Sequence, residues 1–168
     1  MNMLLLLTTN LIAQVDSGLI LTQEQNDKWF ERFGQLGLKD QIETLNKRIL
    51  MDTNVFVTNT LDRLVIEKVN RRQVGFCKPM MLIGGVLISI ENRTQTSDIK
   101  YLTTLLTAET VKKIEIIKED QASALFGQRG ICKGLNVTIT SKRTKRKLET
   151  LEPKMYSPTV TKEIRWRH

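Results

Sequence analysis

A short helix that ends at glycine and leads into a strand is the pattern that most constrains the fold of this 168-residue chain. Residues 121–126 favour one or two helical turns, and Gly127 is a typical helix stop. Residues 135–140 alternate apolar and polar side chains, which predicts a strand. Gly127 and Gly130 bound the segment between them, so we expect a sharp turn there.

A hairpin precedes this segment in the sequence. Residues 80–83 and 86–90 are apolar and flank Gly84-Gly85, a pair that can supply the positive φ of a two-residue turn. Residues 54–57, 61–69 and 114–117 also predict strands. Short helices are predicted at residues 99–106, capped by Ser97 or Asp98, and after a cap at Thr107. The prediction is a small α/β domain with a mixed sheet.

Three segments, taken in order, resemble the plug domain of TonB-dependent outer-membrane receptors, especially nutrient importers of the starch-utilisation type. They are residues 78–88, 107–120 and 122–142. The family has a proline-led strand ending at a glycine turn, then a strand, and finally a helix, a glycine turn and a strand. This chain departs from the family pattern at Phe126, where Tyr is usual, and at Gly84, where Asp is usual. The resemblance implies a plug-like fold of the α/β (α+β) class.

The expected organisation has four parts. They are a candidate signal peptide at residues 1–13, a helical extension at 14–50, the plug-like domain at 51–143 and a basic tail of low order at 144–168. A receptor barrel needs about twenty-two strands of about ten residues each, more than this chain supplies. We therefore expect the pore to be formed by another protein.

The N-terminus predicts export. An apolar run at residues 3–7 and a break after Ala13 resemble a secretory signal, although no Lys or Arg precedes the run. The alternative is a buried N-terminal strand or helix. No run of about 18 apolar residues occurs, so no membrane-spanning helix is predicted.

Two amphipathic helices are predicted after this segment. Thr22 and Gln25 have the spacing of a capping box, and helical patterns follow at residues 23–33 and 38–48. Their apolar faces either pack on the domain or form a docking arm for a partner protein.

The sequence offers no convincing catalytic or metal site. His168 is the single histidine and is the last residue, which leaves no histidine-based triad or metal site. Glu119 and Asp120 are adjacent and are expected in a solvated turn. We therefore expect a protein that is not an enzyme and uses no cofactor and no metal.

Positive charge is concentrated near the C-terminus. The formal net charge is +8, and residues 142–168 contain nine Lys or Arg against three Glu. The run is either a solvated tail or a contact for anionic lipid or an acidic protein face. Nucleic-acid binding is not expected, because aromatic residues are not interleaved with the charges. The candidate partner-binding residues are Gln128, Arg129, Lys142, Arg143, Lys145, Arg146 and Lys147.

The resemblance to the plug family also implies roles for Arg129 and for the two cysteines. The matching arginine of the family is implied to fasten the plug in its barrel, whereas an internal pair with Glu115 or Glu119 is the alternative. Cys77 and Cys132 each precede a strand, and the resemblance places those strands in one sheet. A Cys77–Cys132 disulfide is therefore one expectation, and two small buried thiols are the other.

These patterns together predict an exported plug-like module, located in the periplasm or on the periplasmic face of the outer membrane. It would dock to, or occlude, a pore formed by an outer-membrane barrel or another envelope protein. The alternatives are a periplasmic ligand- or protein-binding module of the same fold, and a receptor remnant that lacks its barrel.

Overall fold

The computed structural model describes residues 19–57, 73–75, 78–90 and 94–155. The predicted signal segment, the predicted strand at residues 61–69 and the end of the tail, residues 156–168, lie outside the described residues. In chain order the helices and strands are α1 (Gln23–Gly34), α2 (Leu38–Asp52), β1 (Val55–Val57), β2 (Gln73–Gly75), β3 (Met80–Ile83), β4 (Val86–Ile88), α3 (Thr96–Leu105), β5 (Val111–Ile117), α4 (Glu119–Phe126), β6 (Gly134–Ile139) and α5 (Lys142–Met155). A 3-10 helix, Gly127–Cys132, lies between α4 and β6.

Four of the strands form a mixed sheet in the order β4-β3-β6-β5. β3 pairs antiparallel with β4 and parallel with β6, and β5 pairs antiparallel with β6. β1 and β2 form a separate parallel pair, of which β2 was not predicted. The fold class is α+β, as predicted, and the predicted hairpin and last strand are confirmed.

The hairpin between β3 and β4 depends on its two glycines. Gly84 has φ 63° and Gly85 has φ 91°, as predicted for this turn. Side chains disfavour these angles, whereas a right-twisted hairpin with a two-residue loop requires positive φ.

One face of the sheet forms the hydrophobic core with four helices. The β-strand side chains of this core are buried and come from all four strands: Met81, Ile83, Val86, Ile88, Val111, Ile114, Leu135, Val137 and Ile139. Helices α1, α2, α3 and α5 contribute Phe33, Leu45, Leu102 and Leu148, which are fully buried. The helices thus cover the sheet because their apolar stripes and this face remove each other from water.

The two N-terminal helices belong to this core. The Thr22 hydroxyl accepts a hydrogen bond from the Gln25 N–H at 3.2 Å, and the Gln25 side chain accepts one from the Thr22 N–H at 3.1 Å. The predicted capping box is therefore confirmed. Phe30, Ile42 and Ile49 lie in the core cluster, so the predicted packing on the domain is confirmed and the docking arm is wrong. The described part of residues 14–50 packs into the same hydrophobic core as the sheet. This segment is therefore part of the domain and is not a separate extension.

The prediction of a low-order tail is wrong for residues 144–155, which belong to α5. Thr144, Leu148 and Leu151 lie on one side of this helix and are buried. The Ser141 hydroxyl accepts a hydrogen bond from the Thr144 N–H at 3.2 Å and so caps the first turn. The predicted boundary between residues 143 and 144 therefore falls inside a helix. The sequence prediction missed this helix because charged residues outnumber the few apolar residues that recur at helical spacing.

Two predicted helix caps are also wrong. The N-cap of α3 is Gln95, and its side chain makes no capping hydrogen bond. Thr107 begins a turn instead of a helix, because the Thr110 hydroxyl donates to the Leu105 carbonyl at 2.7 Å and β5 begins at the next residue. Serine, threonine and aspartate favour both caps and turns, so local sequence does not distinguish the two.

Candidate functional site

The candidate binding residues lie at two opposite ends of the sheet. β6 connects these ends, and its six residues span about 20 Å. We call α4, the 3-10 helix and Lys133 the turn end, because they precede β6. We call Lys112 and Lys113 of β5, with the five cations at the start of α5, the basic end.

Two glycines shape the turn end for different reasons. Gly127 has φ 61° and ends α4, as predicted. Gly130 packs against the backbone of α4, where a Cβ on Gly130 would lie 2.1 Å from the Ala122 carbonyl carbon and oxygen. No side chain fits at this point. Gly130 therefore holds the 3-10 helix directly against α4.

The turn end exposes apolar surface. Leu125 of α4 is 66 % exposed, and Ile131 of the 3-10 helix is 38 % exposed. Gln128 and Arg129 lie between Leu125 and Ile131 in the sequence, and their side chains are outside the part that the structure describes. The predicted pairing of Arg129 is therefore outside it too. Glu115, one of the predicted partners of Arg129, forms an ion pair with Lys113 at 2.7 Å.

Lys133 connects the turn end to α1. Its backbone has φ 62°, which is unusual for a residue with a side chain. Its ammonium lies 2.6 Å from a carboxylate oxygen of Asp27 and 5.7 Å from the centre of the Phe30 ring. Both contacts fix the orientation of the turn that precedes β6.

A buried network of polar side chains connects the turn end to α1 and α2. Arg48 Nε donates to Asp52 Oδ1 at 2.8 Å, and Arg48 Nη2 donates to the Asn26 side-chain oxygen at 3.1 Å. The Asn26 amide donates in turn to the Cys132 carbonyl at 3.1 Å. Arg48 and Asp52 side chains are each 1 % exposed, so this network positions backbone and is closed to substrate. Sequence reasoning missed it.

The electrostatics of the network are set by burial. Loss of water raises the pKa of the Asp52 carboxyl above its ordinary value, while Arg48 and then Lys78 oppose the rise. Arg48 also lies 5.1 Å from the centre of the Trp29 ring. The sequence signal was available, because Arg48 and Asp52 continue the stripe of Leu45 and Ile49 at helical spacing.

Cys132 is buried and disulfide-bonded. The parallel register pairs Gly134 with Met80, so β6 starts beside β3, the strand that follows residue 77. Cys77 itself lies outside the described residues, and the Cys77–Cys132 pairing therefore stays a prediction.

The basic end is assembled by the register of β5 and β6. Thr140 donates its N–H to the Thr110 carbonyl at 3.0 Å, which places the start of β5 beside the start of α5. The α5 cations are Lys142, Arg143, Lys145, Arg146 and Lys147. Within the part of the chain that the structure describes, none of these five forms an ion pair with a carboxylate. The predicted partner-binding cations thus lie together on an ordered helix.

The first turn of α5 contains positive side chains, and the partial positive charge of the helix N-terminus repels them. The first turns of the other four helices contain Asp or Glu, namely Glu24, Asp40, Asp98 and Glu119 with Asp120, whereas α5 has none. The N-terminus of a helix carries partial positive charge. We expect Lys142→Glu to raise the free energy of unfolding by about 0.3–1 kcal/mol, measured by urea unfolding at low salt.

Arg32→Glu is the matched control for this prediction. It changes the net charge equally, but Arg32 lies in the last turn of α1, where a cation is favourable. Arg32→Glu should therefore lower stability. A similar shift in both variants would show that net charge, and not the helix terminus, controls the effect.

Comparison with protein-family models, with curated proteins and with solved structures finds no match for this chain. None of the described helices combines the length and the apolar character that crossing a bilayer requires. Functional inference therefore depends on the residues and their arrangement.

Proposed function

We propose that this chain is an exported plug-like module that docks to, or occludes, an outer-membrane pore formed by another protein. One observation supports it most: β3, the glycine turn, β4, β5, α4 and β6 occur in the order that the plug resemblance implies, within a single mixed sheet. The two motif strands β3 and β6 lie in one sheet, as the resemblance implies, and they pair with each other directly. The proposed role is non-enzymatic.

The state of Cys132 supports the exported location. Disulfides persist in oxidising compartments such as the bacterial periplasm and are rare in the cytosol. A disulfide-bonded Cys132 is thus in keeping with an N-terminal segment that resembles a secretory signal.

The turn end is the proposed docking surface. Leu125 and Ile131 provide exposed apolar area on a segment that Gly130 holds rigidly against α4. A few residues near the centre of an interface supply most of its affinity, and residues that are already ordered lose less conformational entropy on binding. Arg129 lies in the same segment and can add a charged hydrogen bond to a partner carboxylate.

Affinity purification of the tagged protein from envelope membranes tests the proposal. We expect an outer-membrane pore protein to copurify with it and to be lost with Leu125→Gln/Ile131→Gln. The matched control is Leu38→Gln/Leu50→Gln, which changes two leucines of α2 that are 37 % and 39 % exposed. Recovery of the chain with Met1 intact in the cytosol, or without any pore protein, would contradict the proposal.

A further inference from the structure

The basic end carries positive charge on two elements that are distant in sequence, β5 and α5, which meet through Thr110 and Thr140. Five of its side chains are exposed and two are half-buried: Lys112, Lys113, Lys142, Arg143 and Arg146, and then Lys145 and Lys147. Of these cations only Lys113 has a carboxylate partner among the described residues, Glu115 at 2.7 Å. Five of the cations fall within residues 142–147, and like charges on one short helical segment repel one another unless anions approach them.

The cations of α5 have a fixed support. Leu148 and Leu151 are buried in the core, and Ser141 caps the first turn. A Cβ on Gly84 would lie 3.4 Å from Cγ of Lys145, so the stem of this lysine lies over the hairpin turn. Because the apolar side of α5 faces the core, the helix cannot insert into a bilayer.

We propose that the basic end binds the anionic phospholipid head groups of a membrane surface. A surface of this kind attracts clustered Lys and Arg through summed charge and needs no directional partner. The proposal is independent of docking at the turn end, because the two surfaces lie at opposite ends of β6.

Two observations favour lipid over other polyanions. Residues 109–113 and 140–151 contain no aromatic, Asn or Gln side chain, which nucleic-acid binding sites use for stacking and base contacts. An acidic protein would be expected to bury an apolar centre within the charged ring. Among the described residues, the exposed large apolar side chains lie outside the basic end. They are Leu125 and Ile131 at the turn end, Leu38 and Leu50 on α2, and Tyr101 on α3. The exposed side chains of residues 109–113 and 140–151 are charged or carry hydroxyl groups, which fits a surface that contacts lipid head groups.

Vesicle sedimentation with the purified full chain tests the proposal. The vesicles are phosphatidylcholine with about 30 mol% phosphatidylglycerol, compared with pure phosphatidylcholine. Binding should occur only to the anionic vesicles and should fall strongly between about 0.1 M and about 1 M salt. Lys142→Gln/Arg146→Gln should reduce the partition coefficient about 25-fold, about fivefold for each charge removed.

Lys39→Gln/Lys47→Gln is the matched control, since both lysines are exposed on α2 and the net charge changes equally. It should change binding less than about twofold. Circular dichroism checks the fold of each variant, and Lys112→Gln on β5 should independently reduce binding about fivefold. Equal binding to both vesicle types, equal losses in the paired variants, or binding to DNA but not to vesicles would overturn the proposal.

Discussion

Gly130→Ala is expected to lower the free energy of unfolding by about 3 kcal/mol, because the added methyl group has no room. Its carbon would lie 2.1 Å from the Ala122 carbonyl and 2.3 Å from the Ser123 nitrogen. These are backbone atoms of α4, so a side-chain rotation cannot relieve the clash. Either α4 or the 3-10 helix must move, and each movement disturbs the entry to β6.

Urea unfolding measures this effect, and Gly37→Ala is its control. Gly37 has φ −66° and no atom within 4 Å of an added Cβ. The same substitution there should change stability by less than about 1 kcal/mol. Equal stability of the Gly130 variant and the wild type would show that α4 and the 3-10 helix do not pack as described.

Breaking the buried pair of Arg48 and Asp52 should have an effect at least as large. Asp52→Leu leaves the Arg48 guanidinium buried without the carboxylate that accepts its Nε–H, and the expected loss at neutral pH is about 3–5 kcal/mol. Arg48→Met leaves a buried carboxyl instead. A carboxyl can take up a proton, whereas a guanidinium cannot lose one, so the two losses should respond differently to pH.

The direction of each response follows from the pKa of Asp52. In Arg48→Met the main influence that opposes the raised pKa is gone, so folded Asp52 holds its proton to higher pH than unfolded Asp52, whose pKa is near 3.8. Stability of this variant is fully present below that value and is lost as pH rises through the folded pKa. The destabilisation by Arg48→Met should therefore grow with pH.

Asp52→Leu should show the opposite trend relative to the wild type. The pKa of wild-type Asp52 is itself raised by burial, so the wild type loses some stability as pH rises while the variant has no such group. Arg48→Met/Asp52→Leu, which removes both charges, should cost less than Asp52→Leu alone. Additive losses in the double variant would mean that the two side chains do not interact.

The sequence predicted those structural elements that are determined by residues close together in the chain. The capping box of Thr22 and Gln25, the glycine hairpin and the glycine stop of α4 each depend on residues within one turn of one another. Local preference and tertiary packing agree at these points, so the predictions are confirmed.

The rest of the candidate site depends on contacts between distant residues. Asn26 meets the Cys132 carbonyl only after α1 has packed beside the 3-10 helix, and no local pattern indicates this contact. The start of β5 joins the basic end only through the β5–β6 register. For α5, composition indicated disorder, while Leu148 and Leu151 gain burial against a core assembled from earlier elements. Packing therefore overrode composition.

Site-specific photo-crosslinking in intact cells tests the proposed docking most directly. A photoreactive amino acid replaces Leu125 at the turn end or, as the control, Leu50, which is exposed on α2. We predict a crosslink from position 125 to an outer-membrane pore protein and none from position 50. The absence of a crosslink at position 125, or equal crosslinks from both positions, would contradict the proposed docking surface.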